Sequence, residues 1–319
     1  LTRAPDLLVF SLRKLAGAMP LIVGVTLISF LLTVYFGPDP THALLGKNPT
    51  AAEVAQLSAE LGRDRSAPAQ YLDYLRRLLT LDLGHSMVTG EPVRAMLART
   101  IPVSLLLLLP GFVLGTILAL VMAAVAAWYR GGWVDRMISG VSVVGMSLSF
   151  VVILIGLQAV FGVWLGWFPV RGWNVTTLPQ YLHHVAVPTL AFIVASLGYN
   201  TRFFRAVLVA ELNSDQVRNA RAFGAGPVRL MLVHVIGNSL LPILTRTLFS
   251  VPLLVLSGSL LIESHFGIPG VGKITFDAVM SGDQPVLMAV VGLSAVLFVI
   301  TVTVTDLLCR LVDPRLRQE

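Results

Sequence analysis

A chain of 319 residues could hold two soluble domains, but 55% of it is apolar, 13% is charged and its mean hydropathy is +0.81, which argues for a membrane protein. The formal net charge of +6 does not point to nucleic acid, because the basic residues fall in short segments between apolar runs and are not interleaved with exposed aromatics. The single cysteine, Cys309, excludes an internal disulfide, and its place near the end of the last apolar run assigns it a plain apolar role.

Six runs carry little or no charge and reach the roughly 20 residues that cross a bilayer, the fourth only with its arginine-bearing end. They lie near 15–36, 101–128, 137–166, 186–208, 236–262 and 286–308. Residues 7–19 mix apolar positions with Arg13 and Lys14, which predicts a helix that starts at the cytoplasmic surface and runs into the first span. That span follows a basic stretch and is long enough to remain as an anchor, so no cleavable signal is needed. The motif GPDP, Gly37 to Pro40, then stops the helix, since proline restricts its predecessor.

The long loop at 37–100 holds two amphipathic stretches. Thr50 and Glu53 have capping-box spacing ahead of Val54, Leu57 and Leu61, and a second stretch carries Tyr71, Leu72, Leu75, Leu78 and Leu79. Spans two and three are joined by WYRGGWVDR, Trp128 to Arg136, a short basic turn with tryptophans at interfacial depth. Trp164, Trp167 and Trp173 read as an outer aromatic belt. His183 and His184 precede the fourth span. Adjacent helical side chains point about 100° apart, so the two are a poor metal pair and read as interfacial. Ala191, Ala195, Ser196 and Gly198 are small enough for close helix packing in the fourth span.

Residues 211–244 begin as a polar interruption between two apolar runs. Ser214 is placed to cap a short helix, Val217, Ala220 and Phe223 recur at i, i+3 and i+6 as one face, and Gly224 is a C-terminal stop. Ala220 and Ala222 keep part of the surface low, while Arg202, Arg205, Arg218, Arg221 and Arg229 surround it with positive charge. A small, flat, basic knob of this kind reads as a docking element.

Span five carries Arg246. An ionisable group within a membrane is a functional candidate because exposing it to lipid costs roughly 3 kcal/mol or more. Arginine also snorkels, so pathway lining and snorkelling both stand for Arg246. In Glu263 to Lys273, Gly267, Gly272 and Lys273 reproduce most of G-x-x-x-x-G-K. Ile274 stands where a phosphate loop needs Ser or Thr for Mg²⁺, and no strand precedes it, so the stretch is not a nucleotide site.

With the N-terminus inside, the inner segments collect Arg3, Arg13, Lys14, Arg130, Arg136, the five arginines about the knob, Arg310, Arg315 and Arg317. The short outer loops hold only Arg171 and Lys273, which favours an N-in, C-in chain.

The pattern D-x-V-R-x-A-R-A-x-G, Asp215 to Gly224, followed by H-x-x-x-N-x-x-x-P, His234 to Pro242, resembles the cytoplasmic coupling loop of ABC importer permeases, specifically their dipeptide/oligopeptide permease B branch. Similar likenesses are LGxD at Leu61 to Asp64, QYLDYL at Gln70 to Leu75, LDLGHS at Leu81 to Ser86, VWLGWFP at Val163 to Pro169 and DPRLR at Asp313 to Arg317. E-x-x-F-x-x-P-G-x-G at Glu263 to Gly272 resembles the family's re-entrant outer segment, where glycines allow tight turns near the path, although a turn-forming role alone also accounts for them. The family usually has P-G-D-P where this chain has GPDP, an apolar residue at Arg246, and often a proline at Ser149, so no kink is assigned there.

The resemblance implies an all-α membrane protein with six transmembrane helices in the type I ABC importer permease fold, multi-pass in a bacterial inner membrane. Its parts would be the N-terminus and first span at 1–36, a periplasmic helical loop at 37–100, a permease core at 101–312 with coupling loop 209–235, and a tail at 313–319. The helical loop packs on its own span tops, or also seats a periplasmic solute-binding protein. Implied partners are a second, similar permease subunit, by family precedent a different chain that makes a heterodimer, two ATP-binding subunits, a solute-binding protein and membrane lipid, but no nucleic acid.

The resemblance implies no catalytic residue, metal site or cofactor in this chain, with ATP and Mg²⁺ bound by the partner ATPases. ATPase coupling would fall to Ser214, Asp215, Val217, Arg218, Ala220, Arg221, Phe223, Gly224, Asn238 and Pro242, and the translocation path to Arg246, Glu263, Pro269, Gly270 and Gly272. The expected cargo is di- or oligopeptides, with nickel complexes or glutathione as alternatives within the family. A self-sufficient secondary transporter is the alternative outside it, though Arg246 and Asp306 are the main ionisable groups in the spans.

Overall fold

A computed structural model describes residues 4–36, 50–60, 65–253 and 259–312, and the motifs GPDP, LGxD and DPRLR lie outside them. The described chain is helical: α1 (Ala4–Phe36), α2 (Ala51–Glu60), α3 (Ala67–Thr80), α4 (Val93–Trp128), α5 (Trp133–Ser147) and α6 (Phe150–Leu157). Then come α7 (Leu178–Leu212), α8 (Asp215–Ala222), α9 (Gly237–Phe249), α10 (Ser259–Phe266), α11 (Val271–Ser281) and α12 (Gln284–Val312). Among the described residues, five helices are long and apolar enough to cross a membrane, six if the bent pair α5 and α6 is one span. The chain divides into two compact units, one of Leu1–Ser104 with Pro269–Thr303, the other of Leu105–Ile268 with Val304–Glu319.

In the first unit, Thr50 and Glu53 form the reciprocal cap. The Thr50 backbone N–H and hydroxyl each donate to Glu53 Oε2 at 2.8 Å, and the Glu53 N–H donates to Thr50 Oγ1 at 3.3 Å. Helix α3 turns its tyrosines onto the spans: Tyr71 donates to the Val23 carbonyl at 2.9 Å and Tyr74 to that of Met288 at 3.0 Å. Their rings close on Phe30 at 5.5 and 6.4 Å. A Cβ at Gly292 would lie 2.8 Å from Leu78 Cδ1 and from the Tyr74 hydroxyl, so the glycine admits α3. The loop helix thus packs on its own spans. Beside it, Val93, Met96 and Leu97 of α4 form a core with Ala278, Val286, Ala289 and Val290.

In the second unit, the third span is bent by 97° between α5 and α6. The proline often found there is absent, yet Leu148 and Ser149 take extended conformations, with ψ of 134° and 140°. The helix is therefore broken by two non-helical residues. Residues Gln158–Trp164 continue α6 as a π-helix, and Leu230–Ile236 lead into α9 as another. The expected span at 236–262 begins earlier, in the helical run Pro227–Phe249, which breaks at Ser250 before Val251–Leu253 is helical again; residues 254–258 lie outside the described residues. The unit's core joins Ala119, Ala123 and Ala127 of α4 to Phe204 and Leu208 of α7, Val217 of α8, and Leu230, Met231, Val235 and Ile243.

Candidate functional site

The residues from Glu211 to Pro242 gather at the junction of α7, α8 and α9. Ser214, in an extended conformation, accepts a hydrogen bond from the Val217 N–H at 3.3 Å, which caps α8. The helix ends in a Schellman turn: the Ala225 N–H donates to the Ala220 carbonyl and the Gly224 N–H to that of Arg221, both at 3.0 Å. Gly224 has φ +83°, the left-handed conformation that this turn requires and that only glycine adopts without strain.

A polar knot fixes α8 to its neighbours. Glu211 Oε1 accepts from the Ser214 hydroxyl at 3.0 Å and from the Asn238 amide at 2.9 Å, and the same amide donates to Gln216 Oε1 at 2.7 Å. Asn238 therefore ties the start of α9 to both sides of the α7–α8 corner. Pro242 lies one turn further on in α9 and, having no N–H, leaves the Asn238 carbonyl without its usual helical donor.

Two expectations for the knob need correcting. Val217, Ala220 and Phe223 do not share a face: Val217 is 1% exposed and Ala220 packs against the same core, whereas Phe223 is 92% exposed. Six residues advance a helix by about 600°, so the last position sits roughly 120° from the first, and Phe223 already leaves helical geometry with ψ 8°. The arginines also do not form a uniform positive ring. Arg205 Nε and Nη2 donate to Asp135 Oδ1 and Oδ2 at 2.6 and 2.7 Å, and Arg218 pairs with Asp215 at 3.3 Å. Arg221 and Arg229 remain exposed, as do Arg202 and Ala222. The projecting surface is thus a phenylalanine among small and basic residues, held by a buried valine.

Two further candidates lie elsewhere in the second unit. The Arg246 guanidinium lies 5.6 Å from the centre of the Phe203 ring, a cation–π contact. Glu263 is fully buried in α10, and its carbonyl accepts from the Ile268 N–H at 2.9 Å. In the first unit, Gly270 is the N-cap of α11, Pro269 is exposed, Gly272 is buried, and the Val271 N–H donates to Ser104 Oγ at 2.8 Å. Lys273 is ion-paired with Asp277 at 2.8 Å, one turn on in the same helix.

His183 and His184 lie inside α7 and not ahead of it, because α7 starts at Leu178. Their ring nitrogens bond the carbonyls of Trp167 and Gln180 at 2.7 and 2.8 Å. Of the three belt tryptophans, Trp164 and Trp167 are 78% and 59% exposed, whereas Trp173 is half-buried, edge-on to Tyr181 and His184. Cys309 is not wholly apolar in its contacts: its Sγ lies 3.3 Å from Thr245 Oγ1. Sequence reasoning missed Asp135, which is 5% exposed, and Asp283, which is 3% exposed and bonds the Ser86 hydroxyl and the Met87 N–H. A lone acid in the otherwise basic turn Trp128 to Arg136 was the available signal for the first.

The family model described as "Binding-protein-dependent transport system inner membrane component" matches residues 111–318. Its N-terminal companion, for the membrane component of the same systems, matches residues 7–108. Among curated proteins, the chain is 30% identical over 312 residues to the "Probable peptide ABC transporter permease protein y4tP" of Sinorhizobium fredii, covering 97% of this chain and 99% of that one. It is 30% identical over 314 residues to the "Oligopeptide transport system permease protein AppB" of Bacillus subtilis, covering 96% and 98%.

Proposed function

The chain belongs to the family of inner membrane components of binding-protein-dependent transport systems, and on that basis we propose that it is a transmembrane permease subunit of an ATP-driven ABC importer for peptides. It is a multi-pass inner-membrane protein, oriented in this reading with both termini in the cytoplasm, which puts α8 at the cytoplasmic surface.

The observation that carries the reading is the construction of α8. It is a short helix capped at both ends, anchored by buried Val217, and it presents Phe223 at 92% exposure. An apolar side chain that projects this far beside Arg221 suits a groove in a partner protein better than water. The partner is an ATPase subunit, one of two, and ATP and Mg²⁺ are bound there. This chain supplies no catalytic residue. A second permease subunit, different in sequence, completes the path, and a solute-binding protein delivers peptide from the other side, with the loop helices α2 and α3 contributing to its seat.

In this mechanism, closure of the ATPases displaces α8 as a unit, because its polar knot and core contacts tie it to α7 and α9. The ATP-bound state then favours the conformation open to the binding protein, a population shift driven by differential affinity. Arg246, Glu263, Pro269, Gly270 and Gly272 are assigned to the neighbourhood of the path. The test is co-purification from membranes after co-expression with neighbouring permease and ATPase subunits. A chain altered across Asp215 to Gly224 should lose the ATPases and keep the second permease; retention of both would overturn the assignment.

A further inference from the structure

A doubly bonded ion pair of the second unit, with its carboxylate buried, lies outside the knob. Asp135 opens α5 and is 5% exposed. Both its oxygens are engaged by the Arg205 fork, at 2.6 and 2.7 Å, and it also accepts from the Gly131 N–H at 2.9 Å and the Ser139 hydroxyl at 3.4 Å. Two parallel charge-assisted bonds fix distance and orientation together, which a single bond does not.

A second link runs beside it. Arg130, in the turn before α5, donates to Asn213 at 3.3 Å, and Asn213 is the residue that ends α7 just before Ser214 caps α8. The two helices also touch backbone to backbone further along. A Cβ at Gly198 of α7 would lie 2.6 Å from the Ser142 carbonyl oxygen and 3.1 Å from the Met146 nitrogen of α5. From the knob to residue 147, then, α5 and α7 are joined by a charge fork, a hydrogen bond and a close helix crossing. Immediately beyond, Leu148 and Ser149 are extended and the chain bends by 97°.

We propose that Asp135 and Arg205 are positioning residues for transport, which lock α5 to α7 so that a displacement of α8 is carried as one body to the break at Leu148–Ser149, where it is absorbed. This rests on the proposed function, in which α8 receives that displacement from an ATPase. The pair touches neither nucleotide nor solute. Its work is to keep the lever stiff, and without it the same ATPase stroke is dissipated between two loosened helices.

The test uses spin labels on a Cys309→Ser background, at Met137→Cys with Ala210→Cys on the two sides of the fork, and at Val152→Cys with Ala210→Cys across the break. Positions 137, 152 and 210 are all exposed, and none lies in the docking stretch Asp215 to Gly224. In the assembled complex, the 137–210 distance should stay constant between nucleotide-free and ATP-bound states while the 152–210 distance changes. Asp135→Asn should broaden the 137–210 distribution and raise ATP consumed per solute moved several-fold, per assembled complex. Arg205→Lys keeps the charge but loses the fork, and should do the same more weakly. Asp135→Glu, which keeps both oxygens, should restore much of the coupling.

A wild-type 137–210 distance that shifts with nucleotide as much as 152–210 overturns the proposal. So does an Asp135→Asn chain with unchanged distance width and unchanged coupling. The width is also read in the isolated full chain in lipid nanodiscs. Failure to find ATP-driven transport would therefore refute the function reading, while the fork is still judged by whether Asp135→Asn broadens that distribution.

Discussion

Truncating Phe223 to alanine separates the docking role from a packing role. The side chain is 92% exposed and ends α8 outside the core, so the subunit's own stability should change by no more than about 0.5 kcal/mol. If the ring is buried in an ATPase groove, the loss on binding is that of a buried phenylalanine, roughly 1.5–3 kcal/mol. At about 1.4 kcal/mol per decade, this corresponds to roughly 10- to 150-fold weaker ATPase binding. Val217→Ala should show the opposite signature, because Val217 is 1% exposed within the core of α4, α7 and α9: about 1–3 kcal/mol of stability lost. The assay pairs thermal unfolding of the purified chain with binding of ATPase subunits to the chain in nanodiscs. Unchanged ATPase affinity in Phe223→Ala would refute the argument, as would a large drop in its unfolding temperature.

Gly224→Val forces a β-branched residue to φ +83° and should leave membrane insertion intact while lowering transport-coupled ATP hydrolysis, read in reconstituted vesicles. Asn238→Ala removes the donor shared by Glu211 and Gln216, at an exposed site, and should cost about 0.5–1.5 kcal/mol in thermal unfolding while loosening α8. Gly198→Ala places a Cβ 2.6 Å from a backbone oxygen that has no rotamer to yield, and should lower stability by about 1–3 kcal/mol by the same measurement.

The Glu53 carboxylate is held below its ordinary value of 4.5 by the Thr50 backbone N–H first, then by the Thr50 hydroxyl. Its contribution to α2 is therefore present above that ordinary value and lost as pH falls through the lower folded one, which a carboxylate titration by NMR would follow. Burial pushes the Tyr74 hydroxyl up to about 12, with a smaller contribution from Tyr71. An ultraviolet titration should therefore show a tyrosine that ionises near pH 12, and Tyr74→Phe should remove that step.

What was legible in the sequence was local. Ser214, Gly224 and the pair Thr50 and Glu53 act within four residues of themselves, so their spacing announces the caps they form. Apolar runs likewise announced the spans. Pairing across the chain left no such trace: Asp135 and Arg205 are 70 residues apart, and no spacing links the lone acid of the basic turn to an arginine inside α7. The break at Leu148 and Ser149 uses backbone conformations open to most residues and no proline. π-Helical turns at Gln158–Trp164 and Leu230–Ile236 have no side-chain spacing of their own to read. An i, i+3, i+6 pattern drifts around the helix, so spacing alone does not keep Phe223 on the face of Val217, and only the buried position of Val217 shows which side the core occupies.

The most direct test of the central claim is uptake of a labelled peptide into vesicles that contain this chain, its partner permease and the ATPases, with the solute-binding protein supplied at the face opposite α8. Uptake should require both ATP and the binding protein, and should fall when Asp215 to Gly224 is altered in otherwise intact vesicles. Uptake by this chain alone, driven by an ion gradient and indifferent to ATP, would contradict the account.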